Sequence, residues 1–190
     1  MRAAALAGLL ALVVSASATA APKASCPAAW AKGWQALANR IDAPVYCPTW
    51  MPNPLDAHIG GQYQDIYSIG KDRSYLVSFL EHGDLGSGDV HVNFRGFPGA
   101  TKIPACPGPV GKSSIPCFAD PAGHMTANGI HATVYQVNQG ADQWHILLAW
   151  HHNGGLYTIS QHVIQPYTYK QVVQSLNRLL AGLVLVRPQN

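Results

Sequence analysis

QWHILLAWHH (residues 143–152), NGG (153–155) and LYTISQHVI (156–164) decide the fold of this chain. Asn-Gly and Gly-Gly are the dipeptides that tight hairpin turns select, because the central residues of such turns take positive φ. The runs on either side are rich in aliphatic, aromatic and β-branched residues, which suit a pleated, half-buried surface. The chain is therefore expected to run along one strand and return along its neighbour. Whether the turn is centred on Asn153-Gly154 or on Gly154-Gly155, residue parity puts Trp144, Ile146, Leu148 and Trp150 on one face with Tyr157, Ile159 and Val163. That face is the core side. The opposite face carries His145, His151, His162, Thr158 and Ser160, diluted by Leu147 and Leu156.

Strand patterns continue upstream, over residues 62–69, 75–82, 89–95 and 130–138, with turn signals at 70–73, 83–88 and 139–142. In the third of these, Val90, Val92 and Phe94 alternate with His91, Asn93 and Arg95, so one side of that strand is buried and the other polar. Residues 96–123 are dense in Pro, Gly and Ser and read as a long loop. A helix follows the hairpin: Thr168 and Gln171 form a capping-box pair, Val172, Val173, Leu176, Leu179, Leu180 and Leu183 share one side, and Gly182 is a natural stop. A second helix spans residues 27–40, where Trp30, Trp34, Leu37 and Ile41 make an apolar stripe and Pro27 fits the first turn. Strands in hairpin order between two one-sided helices predict an α+β domain. Its antiparallel sheet is packed against an N-terminal and a C-terminal helix.

The first twenty residues stand apart. Met1-Arg2 is followed by an apolar run over residues 3–14 and then by small residues, with Ala16-Ser17-Ala18 and Ala18-Thr19-Ala20 both matching the A-x-A cleavage rule. The apolar run is shorter than the roughly 20 residues a membrane span needs. This pattern predicts a signal peptide at 1–20 and a mature extracytoplasmic domain at 21–190, secreted and with no stable membrane span after cleavage. Acylation at Cys26 is disfavoured, since Lys23 stands where a lipobox wants an aliphatic residue.

The chain of 190 residues carries a net charge of +3, with 11% charged and 48% hydrophobic residues. So little charge with so many apolar residues excludes disorder. Lys32, Arg40, Lys71, Arg95, Lys102, Lys112, Lys170 and Arg178 are scattered and make no stripe that would neutralise a phosphate backbone, so nucleic acid is not an expected partner.

Four cysteines in an exported chain predict two disulfides. Three pairings exist in principle, and geometry favours one. A helix over 27–40 runs about 20 Å, and the extended residues 41–47 can return roughly as far, bringing Cys47 beside Cys26. Cys106 and Cys117 bracket the long loop and would close it. Each bridge is expected to contribute roughly 3 kcal/mol.

Histidine is the enriched chemical group, with nine in the chain. His145 and His162 lie on one face of adjacent strands, and one of the two turn registers sets them directly opposite each other. They are the candidate metal ligands, but no acid or cysteine nearby in sequence completes a set, and His151 lies too far along its strand. No H-E-x-x-H motif is present. GPVGKS (108–113) matches a phosphate-binding loop only at its end, because Cys106 stands where the pattern requires glycine. Neither G-x-S-x-G nor a cysteine expected to stay reduced is available for nucleophilic catalysis. A set such as Asp65, His91 and Ser78 can be drawn on a sheet, although most aspartates sit in turns that explain them. No catalytic residue and no cofactor are assigned. Trp50, Met51 and Phe97, in Pro-rich or loop segments, are candidate contact residues for a small molecule, glycan, lipid or protein.

Three segments carry a resemblance. VYCPTWMP (45–52) is similar to a "Y-x-P…P" entry segment, Trp150 through Ile159 to a "W…G…Y-x-aliphatic" hairpin, and residues 169–183 to a closing helix with a Ser-Leu step at Ser175-Leu176. Together they resemble bacterial extracytoplasmic domains of unknown function, found in secreted lipoproteins and on anti-sigma-factor-like proteins. The chain departs from that pattern in its 106–117 loop and in lacking a membrane anchor. The resemblance brings no catalytic residues, and a good core, aromatic loops and no catalytic signature together predict a non-enzymatic exported binding or sensing domain. The alternatives are a secreted hydrolase with an unrecognised site and a histidine-based metal binder.

Overall fold

The computed structural model describes residues 24–55, 63–64, 69–80, 90–100, 121–137 and 144–189. Residues 1–20, read as a signal peptide, and Cys106, Cys117 and GPVGKS lie outside these. The elements run α1 (Ala28–Ile41), β1 (Val45–Pro48), β2 (Tyr63–Gln64), β3 (Tyr75–Leu80), β4 (His91–Pro98), β5 (Pro121–Ala127), β6 (Ile130–Val137), β7 (His145–His152), β8 (Gly155–His162), α2 (Tyr169–Ala181) and β9 (Leu183–Val186).

Seven strands form one antiparallel sheet in the order β2-β3-β4-β8-β7-β6-β5, and β1 pairs with β9 in a separate ribbon. The sheet thus consists of two meanders, β2-β3-β4 and β5-β6-β7-β8, joined where β4 lies beside β8. The α+β class and the two packed helices agree with expectation.

The β7–β8 turn resolves to Asn153-Gly154, with φ of 47° and 77° at the two central residues. Positive φ at both positions is the type I′ geometry, whose twist matches that of the flanking strands. Asn128-Gly129 repeats it between β5 and β6, with φ of 53° and 72°. Strand β5 lies partly in the stretch read as loop, because PAGHMTA has little β-propensity. It is an edge strand, largely exposed, and is held by its pairing with β6 rather than by side-chain burial.

One face of the sheet is covered by both helices and carries the core. Trp30 and Trp34 of α1 meet Phe79 of β3, and Trp34 also meets Phe94 of β4 edge-on, at centroid distances of 5.2–6.3 Å. The Trp34 indole donates to the Tyr46 carbonyl at 2.8 Å, so this large ring is buried with its polar atom bonded. Helix α2 starts on the expected capping box: the Thr168 hydroxyl accepts from the Gln171 N–H, and the Gln171 side chain accepts from the Thr168 N–H. It buries Val172, Leu176, Leu179 and Leu180. The helix ends at Gly182, and Leu183, read as part of its apolar side, instead begins β9 and pairs with Pro48. Thr49 holds that junction, donating to the Gly182 carbonyl from both its N–H (3.1 Å) and its hydroxyl (2.8 Å).

Among the described residues one disulfide is present, Cys26–Cys47, with Cα atoms 5.7 Å apart at the start of α1 and in β1. The helix-and-return geometry therefore holds, and the second proposed pair lies outside the described residues. Trp144 departs from the core face on which parity placed it. Its φ of 60° breaks the strand alternation just before β7, and its ring is 62% exposed.

Candidate histidine site on the second sheet face

The sheet face turned away from the helices is mixed. Phe97, Tyr135, Leu147, Ala149 and Leu156 form a small apolar cluster there. Beside it the ladder lines up polar side chains in rows across β3, β4, β8 and β7. One row reads Ser78, Asn93, Ser160 and Leu147, and the next Leu76, Arg95, Thr158 and Ala149. Ser78, Asn93, Arg95, Thr158 and Ser160 are all buried. Alternation is the cause: Val92, Phe94, Tyr157 and Ile159 point to the core, so the residues between them point to this face.

The end row holds histidines. His145 of β7 sits directly opposite His162 of β8, and the β4–β8 register carries His91 alongside His162. The three rings form a near-equilateral triangle, with centroids 4.7 Å (His91–His145), 4.8 Å (His91–His162) and 4.9 Å (His145–His162) apart. His145 and His162 are stacked at an interplanar angle of 12°. Nε2 of His145 and Nε2 of His91 make a hydrogen bond of 2.8 Å. One of those nitrogens must carry the proton and the other must accept it, so the two rings cannot both be protonated at Nε2. His145 is buried, while His91 and His162 are half-buried, which leaves the triangle open on one side. Nδ1 of His162 is buried without a hydrogen-bond partner.

The sequence singled out His145 and His162, and the structure sets them face to face. It missed His91, which joins them from a strand 54 residues before His145. The signal was the polar phase of His91 in its strand, but pairing of β4 with β8 is not written in either segment. His151 is exposed at the other end of β7 and takes no part.

Other buried polar atoms among the described residues also have no partner, on Trp30, Trp150, His152, Thr158 and Gln161. The Thr158 hydroxyl is buried on the histidine side of the sheet, and both amide atoms of Gln161 are buried on the helix side, between Val92 and Ile146 in the ladder. Ser78 donates to the Asn93 side-chain oxygen at 2.7 Å rather than to a histidine, so nothing here activates it as a nucleophile. Asp65 lies outside the described residues.

The expected contact residues are placed differently from the sequence reading. Met51 is fully buried in the main core, and Phe97 is buried in the small cluster because β4 runs on to Pro98 and pairs it with Leu156. Trp50 is half-buried, with the Arg178 guanidinium 4.0 Å above its ring centroid. The large apolar residues most exposed among those described are Trp144 and Tyr169. No described helix is long and apolar enough to cross a membrane.

Comparison with family models, with curated proteins and with solved structures returns no match. The likeness to extracytoplasmic domains therefore stands on the sequence segments alone.

Proposed function

We propose that this chain is an exported, non-enzymatic binding domain whose ligand contacts the polar half of the second sheet face. The observation that carries this reading is the Thr158 hydroxyl, 2% exposed and without a hydrogen-bond partner, on the same sheet face as Asn93, Ser160 and the histidines. A buried, unbonded hydroxyl costs about 1–3 kcal/mol. Such a group calls for a partner in the native state, and a bound ligand is one that can supply it. The bonding of Ser78 to Asn93 argues for binding over hydrolysis, since a serine nucleophile needs a base.

The test is a thermal-shift screen of the purified protein against sugars, amino acids, dicarboxylates and divalent metal chlorides, run beside Thr158→Val and Asn93→Leu. A compound that raises the unfolding midpoint of the wild type, and does so less in either variant, supports the reading. Equal shifts in all three proteins, no shift with any compound, or Ser78-dependent turnover of an ester or glycoside would overturn it.

A further inference from the structure

Resting on the binding-domain reading, we infer that His91, His145 and His162 bind one divalent transition-metal ion of the zinc type, with the fourth coordination position open to solvent or to a second ligand. Imidazole nitrogens suit zinc, copper and nickel, whereas magnesium and calcium take oxygen donors.

The dimensions of the triangle carry the argument. Three imidazoles bound to one tetrahedral ion through nitrogens about 2.0–2.1 Å away have their ring centroids about 5 Å apart. The centroids here are 4.7, 4.8 and 4.9 Å apart. As placed, no three His, Cys, Asp or Glu side chains among the described residues are arranged to hold an ion. Binding therefore needs the stacked His145 and His162 rings to turn until a nitrogen of each faces one point, and the His91–His145 pair to open. Two nitrogens on a tetrahedral ion lie about 3.3 Å apart, so the pair at 2.8 Å opens by about half an ångström. The proton between them moves to the far nitrogen of its ring or leaves, which frees both lone pairs.

The third donor comes from His162, whose Nδ1 is buried without a partner. Three neighbouring strands hold the three Cα positions at one level of the ladder, so the change is confined to side-chain rotation. Packing does not explain the histidines, because Leu147 and Leu156 fill the same face with apolar side chains. Half-burial of His91 and His162 gives an ion an entry path.

The experiment is zinc titration of the metal-stripped, purified protein by calorimetry, with cobalt as a spectroscopic probe. One equivalent should bind. Bound cobalt should give the visible d–d bands of a tetrahedral nitrogen-rich site, and should quench Trp144, the exposed neighbour of His145. Single His91→Gln, His145→Ala and His162→Gln changes should each weaken zinc by roughly 100-fold or more, beyond the usual cost of losing an outer-shell partner. His131→Ala, at an exposed histidine bonded to Thr126, should leave binding unchanged. If His145→Ala fails to fold, the two half-buried positions carry the test, each checked by its unfolding midpoint.

Absence of stoichiometric zinc binding by the folded wild type overturns the inference, as does binding that survives both glutamine changes. A metal-independent ligand that still needs Thr158 or Asn93 would end the metal site and leave the binding domain standing. No ligand of either kind would end both.

Discussion

Nε2 of His91 and Nε2 of His145 lie 2.8 Å apart, although β8 stands between their strands. Both side chains lean over His162, which occupies the intervening position in the same row. A sheet brings residues from distant parts of the chain to one level, and its ladder then holds them at fixed spacing. Here that spacing matches what three imidazoles around one ion require.

The buried groups without partners should separate stability from binding. Thr158→Val removes a hydroxyl that has no bond and is expected to raise stability by ~1 kcal/mol while weakening ligand binding. Gln161→Leu, on the helix side, should stabilise to a similar degree and leave binding intact. Urea unfolding of the two variants checks this, and a clear loss of stability in both would show that these groups are satisfied in solution.

Alkaline pH should unfold the protein through its buried tyrosines. Burial pushes Tyr157 up to about 12, with the neighbouring Tyr46 adding to the shift, and burial also raises Tyr75 and Tyr46. In the unfolded chain these phenols titrate near 10. Between those values the unfolded state has released protons that the native state still holds. The stabilisation is therefore complete below about pH 10 and is lost as pH rises towards 12. Tyr157→Phe should flatten that decline in the unfolding midpoint. At neutral pH it should cost about 1 kcal/mol for the hydrogen bond to the Pro44 carbonyl, which measures 2.9 Å.

Gly96 is a close-approach position. A Cβ built there would sit 2.2 Å from the ring of Tyr75, its partner across β3 and β4. That ring is deeply buried and cannot swing away. Gly96→Ala should destabilise by ~1–3 kcal/mol, measured by denaturant titration. Tyr75→Leu in the same chain should recover part of the loss.

The Cys26–Cys47 bridge closes a separation of 21 residues. Cys26→Ser with Cys47→Ser is expected to cost about 3 kcal/mol, most of it through the unfolded chain. A change below about 1 kcal/mol in the urea midpoint analysis would show that helix α1 docks without the staple.

Export predicts a defined N-terminus. Intact-mass measurement of protein recovered outside the cytoplasm should give a chain beginning at Thr19 or Ala21, after one of the two A-x-A sites. A chain that retains Met1 and stays inside the cell would remove the export premise.

The local features were legible. A tight turn within residues 153–155, the Thr168–Gln171 box, the Trp30–Ile41 stripe and the Cys26–Cys47 pairing all follow from neighbours within a few tens of residues, while the sequence leaves the centre of that turn between two registers. Their physical causes are φ preference, capping, periodicity and reach. Parity within β7 and β8 likewise set His145 opposite His162 once the turn was fixed. Strands β5 and β9 escaped notice because neither is specified by its own composition: PAGHMTA is held by β6, and LVLV completes a ribbon with β1 instead of extending α2. Trp144 escaped because a single residue at positive φ breaks alternation without changing the apolar pattern.

The sequence by itself determined the fold class, the two helices, the hairpin and the faces of its strands, since each depends on short-range periodicity and turn chemistry. Only the tertiary structure decided that β4 lies beside β8, because strands of similar pattern can pair in many orders and no local preference ranks them. That one pairing carries His91 to the other two histidines, while the β3–β4 register bonds Ser78 to Asn93. The metal site proposed here is a property of the sheet order.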